Sequence, residues 1–212
     1  MAKNRTRIQA ALPAPSPTLI FADQIHGADT EVINQPPSAP PQADALVTTE
    51  PGWMLCMMTA DCMPVLLADP DNRVIGAAHA GWRGAHDGIL ESCIETMEQH
   101  GASREKLHIL IGPCIRQPSY EVDGAFYAKL VHERSANSAY FEPVIGRDDK
   151  WLFNLPAYAK TRLQRAGVVD RQLFDCGLCT YREEEMLFSH RRATHRQQVP
   201  CGRQLSGIYL HG

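Results

Sequence analysis

Between positions 45 and 80 four apolar runs follow one another closely, at 45–48, 54–59, 65–68 and 74–80, with Gly, Pro and Asp punctuating them. None alternates apolar with polar side chains, and short runs of this kind fit strands buried on both faces. Such strands need a covering layer on either side, which restricts the chain to layered architectures. Shorter runs at 19–22 and 30–33 precede them, and 107–111 comes after, stopped by Gly112-Pro113. The period changes at 84–100, where Ala85, Ile89, Leu90, Cys93, Ile94 and Met97 recur at helical spacing and Gly101 closes the segment. Positions 122–134 and 155–166 are expected to be helical, the second ended by Gly167. The tail alternates shorter pieces at 172–175, 186–189 and 205–210. Strands and helices mix without a strict βαβ rhythm, so the expected class is α/β (α+β), a layered sandwich of mixed β-sheets flanked by helices.

The 212 residues suit one domain spanning 1–212, and 44% hydrophobic content gives it a core. The Pro-rich patch 35–41 reads as a surface loop rather than a linker. A formal net charge of −3 argues against nucleic acid as a partner. The one dense basic stretch, 191–196, reads as a solvated face. No apolar run approaches the ~18 residues of a membrane span. Pro13, Pro15 and Pro17 break up the stretch after the basic N-terminus, against a secretory signal. Seven cysteines, an odd number without a disulfide spacing, suggest reduced thiols and a cytoplasmic setting.

Chemistry-bearing residues cluster at strand ends. Asp61-Cys62 comes after the run 54–59, where a thiol can face a cleft, although free cysteines are also among the most buried and inert residue types. His79-Ala80-Gly81-Trp82-Arg83-Gly84 leads from a small-residue strand through a glycine-bracketed turn into a helix. Its glycines would let a ligand approach the backbone, and the Arg83 fork suits phosphate oxygens. The bland alternative is a tight turn with Arg83 in a structural ion pair. His26, in Gln24-Ile25-His26-Gly27, closes another strand. Two imidazoles and a thiolate from His26, Cys62 and His79 are a sensible zinc ligand set with a fourth position open, though their spacing is not a local zinc signature. Asp29, Glu31 and Asp44 near His26 are either supports for such a site or ordinary surface carboxylates. Cys176-Gly177-Leu178-Cys179 has no second pair and reads as structural.

The same stretches carry a family resemblance. Asp23-Gln24-Ile25-His26-Gly27 resembles a Q-V-H-G motif, and Ala43-Asp44-Ala45-Leu46-Val47-Thr48 matches A-D-A-L-V-T. Thr59-Ala60-Asp61-Cys62-Met63-Pro64-Val65-Leu66-Leu67 resembles T-A-D-C-x-P-V-L-L, and 78–84 is A-H-A-G-W-R-G unchanged. Ile111-Gly112-Pro113-Cys114-Ile115, Ser119-Tyr120-Glu121-Val122, Cys179-Thr180, Phe188-Ser189-His190-Arg191-Arg192 and Gly202-Arg203 come next in order. The chain thus resembles, over roughly 23–209, the laccase-domain or polyphenol-oxidase-type purine nucleoside phosphorylases. The resemblance implies one zinc per chain on His26, Cys62 and His79. It also implies phosphorolysis of purine nucleosides (adenosine, inosine, guanosine, methylthioadenosine) to base and ribose 1-phosphate, with adenosine deamination alongside.

On that basis Cys62, His79, Asp61 and Arg83 are the candidate catalytic residues, and Arg83, Gly84 and Tyr120 the candidate substrate contacts. Asp61 is either a proton handler or a buried cap, and Tyr120 either stacks on the purine or belongs to the core. Copper is disfavoured, because multicopper oxidases use H-x-H pairs and none occurs among the 9 histidines. Two departures stand out: Lys3-Asn4-Arg5 looks like the tail of an N-terminal region that homologues carry at greater length, and 193–201 lengthens the hairpin between Arg192 and Gly202. Rival readings are a cysteine hydrolase or amidase with Cys62 as nucleophile and His79 as base, and a non-catalytic nucleotide-binding module.

Overall fold

The computed structural model describes residues 2–12 and 16–211. Pro13 and Pro15 of the N-terminal reading lie outside them. The first half of the chain forms α1 (Ala2–Ala11), β1 (Thr18–Phe21), β2 (Thr30–Val32), β3 (Ala45–Thr48), β4 (Trp53–Thr59), β5 (Met63–Asp69), β6 (Val74–Ala80), α2 (Trp82–Asp87), α3 (Ile89–Gln99) and β7 (His108–Ile111). The second half adds β8 (Glu121–Asp123), α4 (Gly124–Glu133), β9 (Phe141–Pro143), β10 (Lys150–Phe153), α5 (Leu155–Arg165), β11 (Leu173–Asp175), α6 (His190–His195) and β12 (Gln204–Tyr209).

The four runs that dominate the sequence are the middle of the molecule. A mixed six-stranded sheet runs β11-β7-β5-β6-β3-β2, with β6 buried along its whole length. A three-stranded sheet, β1-β4-β12, packs on one face through Ile20, Ile33, Leu46, Leu55, Met57, Ile75 and Ala77. On the other face lie α3 and α5, whose Ile89, Leu90, Ile94, Met97, Leu155 and Leu163 pack with Val65, Leu67 and Ile109. Both faces being covered is why the strands lack alternation. Helix α3 comes so near β6 that a Cβ on Gly76 would lie 2.9 Å from both Cys93 Sγ and Met97 Sδ. The layered α+β sandwich expected from the sequence is what forms.

Several local expectations change. The helix expected over 84–100 is two helices, because Gly88 adopts φ +103 and both ends α2 and begins α3. The helix expected from 122 begins at Gly124, capped by the Asp123 carboxylate accepting from Phe126 N, and Glu121–Asp123 is instead a strand paired with β10. Strands β8, β9 and β10 form a small third sheet that the sequence does not announce. Residues 186–189 form no strand, and 193–201 is no hairpin: Ser189 caps α6, and an irregular segment then leads to β12. The N-terminal stretch containing Lys3-Asn4-Arg5 is helical.

Candidate metal centre and its cavity

Strand register brings the three expected ligands together. β5 and β6 are antiparallel with Met63 opposite Ala80 and Pro64 opposite His79, so Cys62, one residue before β5, arrives beside the end of β6. β1 runs parallel to β4, and the chain leaving β1 tracks β4 towards the same edge. There Gln24 extends the pairing with its side chain, donating Nε2–H to Met58 O (3.0 Å) and accepting from Met58 N (2.9 Å). Two residues later His26 takes φ +62, and Asp61, just before Cys62, takes φ +94. Left-handed backbone at two non-glycine residues beside one site is costly and holds only where surroundings impose it. The ligand atoms of His26, Cys62 and His79 lie within 4.8 Å of one another. His79 is buried, Cys62 half-buried and His26 exposed, so one side stays open.

The residue that assembles this centre is Asp44, fully buried at the start of β3. Its Oδ1 accepts from His79 Nδ1 (2.7 Å) and His26 N (3.1 Å), and its Oδ2 from Gly27 N (2.6 Å) and Ile25 N (3.2 Å). The Asp44 carbonyl also accepts from His79 N at 2.7 Å. One carboxylate therefore shapes the His26 turn and holds the His79 ring with Nε2 towards Cys62, the carboxylate–histidine arrangement that supports metal ligation. The sequence reading left Asp44 level with Asp29 and Glu31, but those two are exposed.

Electrostatics follow from this packing. Burial opposes ionisation of Asp44, yet His79 and the amides of Gly27 and His26 keep its carboxyl below the ordinary value. Burial pulls the His79 imidazole down, but Asp44 and the Cys62 thiol raise it to about 9. Burial pushes the Cys62 thiol up, and hydrogen bonds with His26 and His79 bring it instead to about 7. Cys93 and Cys114, by contrast, are pushed by burial to about 12. None of the seven cysteines is joined in a disulfide among the described residues. Gly81 leaves the room this cluster needs: a Cβ there would lie 3.0 Å from Cys62 Sγ and 3.2 Å from His26 Nδ1. A soft, readily ionised thiolate between two imidazoles, one locked by a carboxylate, fits a single metal ion with a position to spare.

The centre lies in the wall of a cavity of about 660 Å³ that also includes Arg83, Tyr120, His190, Arg191, Cys201 and Arg203. Arg83 stands where the sequence places it, with its guanidinium 4.8 Å from the Trp82 ring centroid. Gly84 is not in the wall. It is buried in α2, where a Cβ would lie 3.0 Å from the Gly27 carbonyl, so its small size serves the approach of α2 to the His26 turn. Tyr120 lines the cavity, half-buried, with its ring in a T-shaped pair with Phe153 and the Arg191 guanidinium 5.4 Å from its centroid, so it has contacts in the aromatic core as well as a place in the wall. Asp61 commits both carboxylate oxygens, accepting from Thr180 Oγ1 and from Arg191 N, each at 2.6 Å.

The basic stretch 191–196 is also more than a solvated face. Arg192 donates to the carbonyls of Thr180, Tyr181 and Leu187, Arg196 pairs with Glu184, and Arg191 faces the cavity. His190, Arg191 and Arg203 also line this cavity, and the sequence names them only as members of motifs, without a role. No helix among the described residues is long and apolar enough to cross a membrane.

Comparison with known proteins agrees with this geometry. The chain is 36% identical over 208 residues to the purine nucleoside phosphorylase YfiH of Escherichia coli, covering 98% of this chain and 80% of that protein. It is 35% identical over 194 residues to a purine nucleoside phosphorylase of Rickettsia conorii, covering 91% and 78%. The fold resembles the crystal structures of a Neisseria meningitidis protein (TM-score 0.86, 29% identity, covering 100% and 81%) and of Bacillus licheniformis YfiH (TM-score 0.86, 28% identity, covering 98% and 80%). The family model described as multi-copper polyphenol oxidoreductase laccase matches residues 1–211, and the chain belongs to that family.

Proposed function

We propose that this chain is a cytoplasmic, zinc-dependent purine nucleoside phosphorylase, converting a purine nucleoside and phosphate to the free base and ribose 1-phosphate. One observation carries the reading: a His26–Cys62–His79 cluster with ligand atoms within 4.8 Å opens into a cavity large enough for a nucleoside. The names of the relatives supply the reaction class. The donor set serves a single ion, against the several coppers of a laccase, and thiolate with imidazole suits zinc.

When bound, the ion supplies Lewis-acid polarisation of an oxygen or nitrogen in its open position. The remaining work falls to the chain. Asp44 holds His79 in the tautomer with Nε2 free for ligation. Arg83 orients phosphate against the sugar, and its positive charge favours the anion as the glycosidic bond weakens. Adenosine deamination belongs to the same proposal as a reaction at a different atom: water adds at the purine C6, the exocyclic amino group leaves as ammonia, and inosine is the product.

A second reading draws on the same atoms. Cys62, His79 and Asp44 stand in the order nucleophile, base and orienting carboxylate, as in a cysteine hydrolase. His26 argues against it, since a hydrolase needs no second imidazole on the thiol. The deciding experiment incubates zinc-loaded protein with inosine or adenosine, with and without phosphate, and quantifies free base and ribose 1-phosphate. Phosphate-dependent release, lost together with stoichiometric zinc in His26→Ala, supports the proposal. Full activity in metal-free protein, abolished by alkylating Cys62, overturns it in favour of the hydrolase. Nucleoside binding with no base released overturns both and leaves a binding module.

A further inference from the structure

Arg191 is held at three points. Its main-chain N–H donates to Asp61 Oδ2 (2.6 Å), Nη1 donates to Glu121 O (2.7 Å), and its guanidinium carbon lies over the Tyr120 ring. It lines the cavity together with Arg83 and Arg203, and no carboxylate pairs with any of the three among the described residues. The carboxylate in the wall, Asp61, already accepts from Thr180 and α6. A chain of net charge −3 thus gathers uncompensated guanidinium groups in one cavity. Arg83, Arg191, Asp61 and Cys62 all act electrostatically on the Tyr120 hydroxyl, so they share one end of it.

We propose that Arg191 is a second phosphate-binding residue beside Arg83, and that Asp61 is the positioning residue that holds it next to the metal centre. This deepens the phosphorylase reading and rests on it. A guanidinium has five N–H donors in a rigid fork, and Glu121 takes only one position of that fork. The Tyr120 ring beneath it and the bond to Glu121 O restrict the guanidinium, so less rotamer freedom remains to be lost when a bidentate contact with phosphate forms. Asp61 acts through main-chain geometry. It is the residue before Cys62, its carbonyl accepts from Ile115 N at 2.9 Å, and its carboxylate grips α6 at Arg191 N. With both oxygens engaged it works as a strut between thiolate and guanidinium, which revises its candidacy as a proton carrier.

The test uses the zinc-loaded full chain and inorganic phosphate, with chloride at equal ionic strength as control. Arg191→Gln is expected to raise the KM for phosphate and its calorimetric Kd about 10- to 100-fold, the usual worth of a charge-assisted contact. Zinc should remain stoichiometric, and the KM for inosine should move by less than about 3-fold, within the scatter of such measurements. Arg191→Lys should recover only part of the loss, since lysine keeps the charge without the fork. Asp61→Asn places an amide donor against one of two donors and should shift phosphate KM in the same direction, adding little when combined with Arg191→Gln. If Asp61→Asn does not fold, Thr180→Val loosens the same carboxylate and should give a smaller shift of the same sign. An unchanged phosphate Kd in Arg191→Gln overturns the phosphate contact. Equal shifts of both KM values in the Asp61 or Thr180 variants overturn the positioning role. Wild-type protein that binds phosphate through Arg191 but releases no base would sink the phosphorylase reading and leave the anion subsite standing.

Discussion

Replacing Asp44 with asparagine removes one charge and turns one acceptor into a donor at a fully buried position. Its two oxygens receive two hydrogen bonds each, so whichever way the amide lies, two donors face a donor. If the amide oxygen stays at the Oδ1 position, Gly27 N and Ile25 N lose their acceptor and the Gly27 contact at 2.6 Å becomes repulsive. If it lies at the Oδ2 position, His79 Nδ1 must accept, its proton moves to Nε2, and the ring can no longer bind a metal. Each donor left unsatisfied costs about 1–3 kcal/mol, so the first orientation costs about 2–6 kcal/mol, while the second leaves only His26 N unsatisfied at about 1–3 kcal/mol but gives up the ligating nitrogen of His79. Loss of a carboxylate behind a ligating histidine also lowers metal affinity about 10- to 100-fold. Urea unfolding of chelator-treated protein reads the first effect, and competition for zinc against a chromophoric chelator reads the second. Metal-free Asp44→Asn protein that unfolds within about 1 kcal/mol of wild type, with unchanged zinc affinity, would refute the organising role assigned to this carboxylate.

Two further outcomes are expected. Gly81→Ala keeps an ordinary backbone, since Gly81 has φ −67 and ψ 171, but its methyl would press on Cys62 Sγ and His26 Nδ1. Zinc affinity measured by chelator competition should therefore fall about 10-fold or more, while metal-free stability changes by no more than about 1 kcal/mol. Asp175 is half-buried, which disfavours its charge, but Arg116, Gly177 N–H and Lys160 outweigh that and hold its carboxyl well below the usual range. A carboxyl lowered on folding stabilises above its unfolded pKa of about 3.9 and loses that contribution as pH falls through the lower folded value. The stability gap between wild type and Asp175→Asn, measured by urea unfolding, should be constant above about pH 5 and shrink below about pH 4.

Much of the central sheet was readable because burial on both faces leaves its mark as unbroken apolar runs, as in Ala45–Thr48 and Val74–Ala80. The third sheet was not. Glu121–Asp123 contributes one buried apolar residue, Val122, and three residues cannot display a period. Gly88 lies within a continuous helical pattern, and only its left-handed φ reveals the break. At the site, His26, Cys62 and His79 were legible from residue type and strand-end position. Asp44 was not separable from Asp29 and Glu31, because the difference lies in burial, which arises from β3 pairing with β6. Arg191 was hidden in a basic run whose neighbours hold carbonyls and Glu184. The direction of a side chain on a six-residue helix is settled by contacts far along the chain, here with Asp61 and Glu121.

The Gln24 amide, bridging both backbone groups of Met58, bears on what losing a metal from the proposed site would do. It joins the His26 turn to the strand leading to Cys62 by protein hydrogen bonds alone, so the pieces stay aligned without a cation to clamp them. Small zinc-folded modules collapse when stripped. The bonds of Gln24 to Met58 do not pass through the proposed metal site, so stripping a bound ion would leave this alignment in place, and chelator treatment should not unfold the protein.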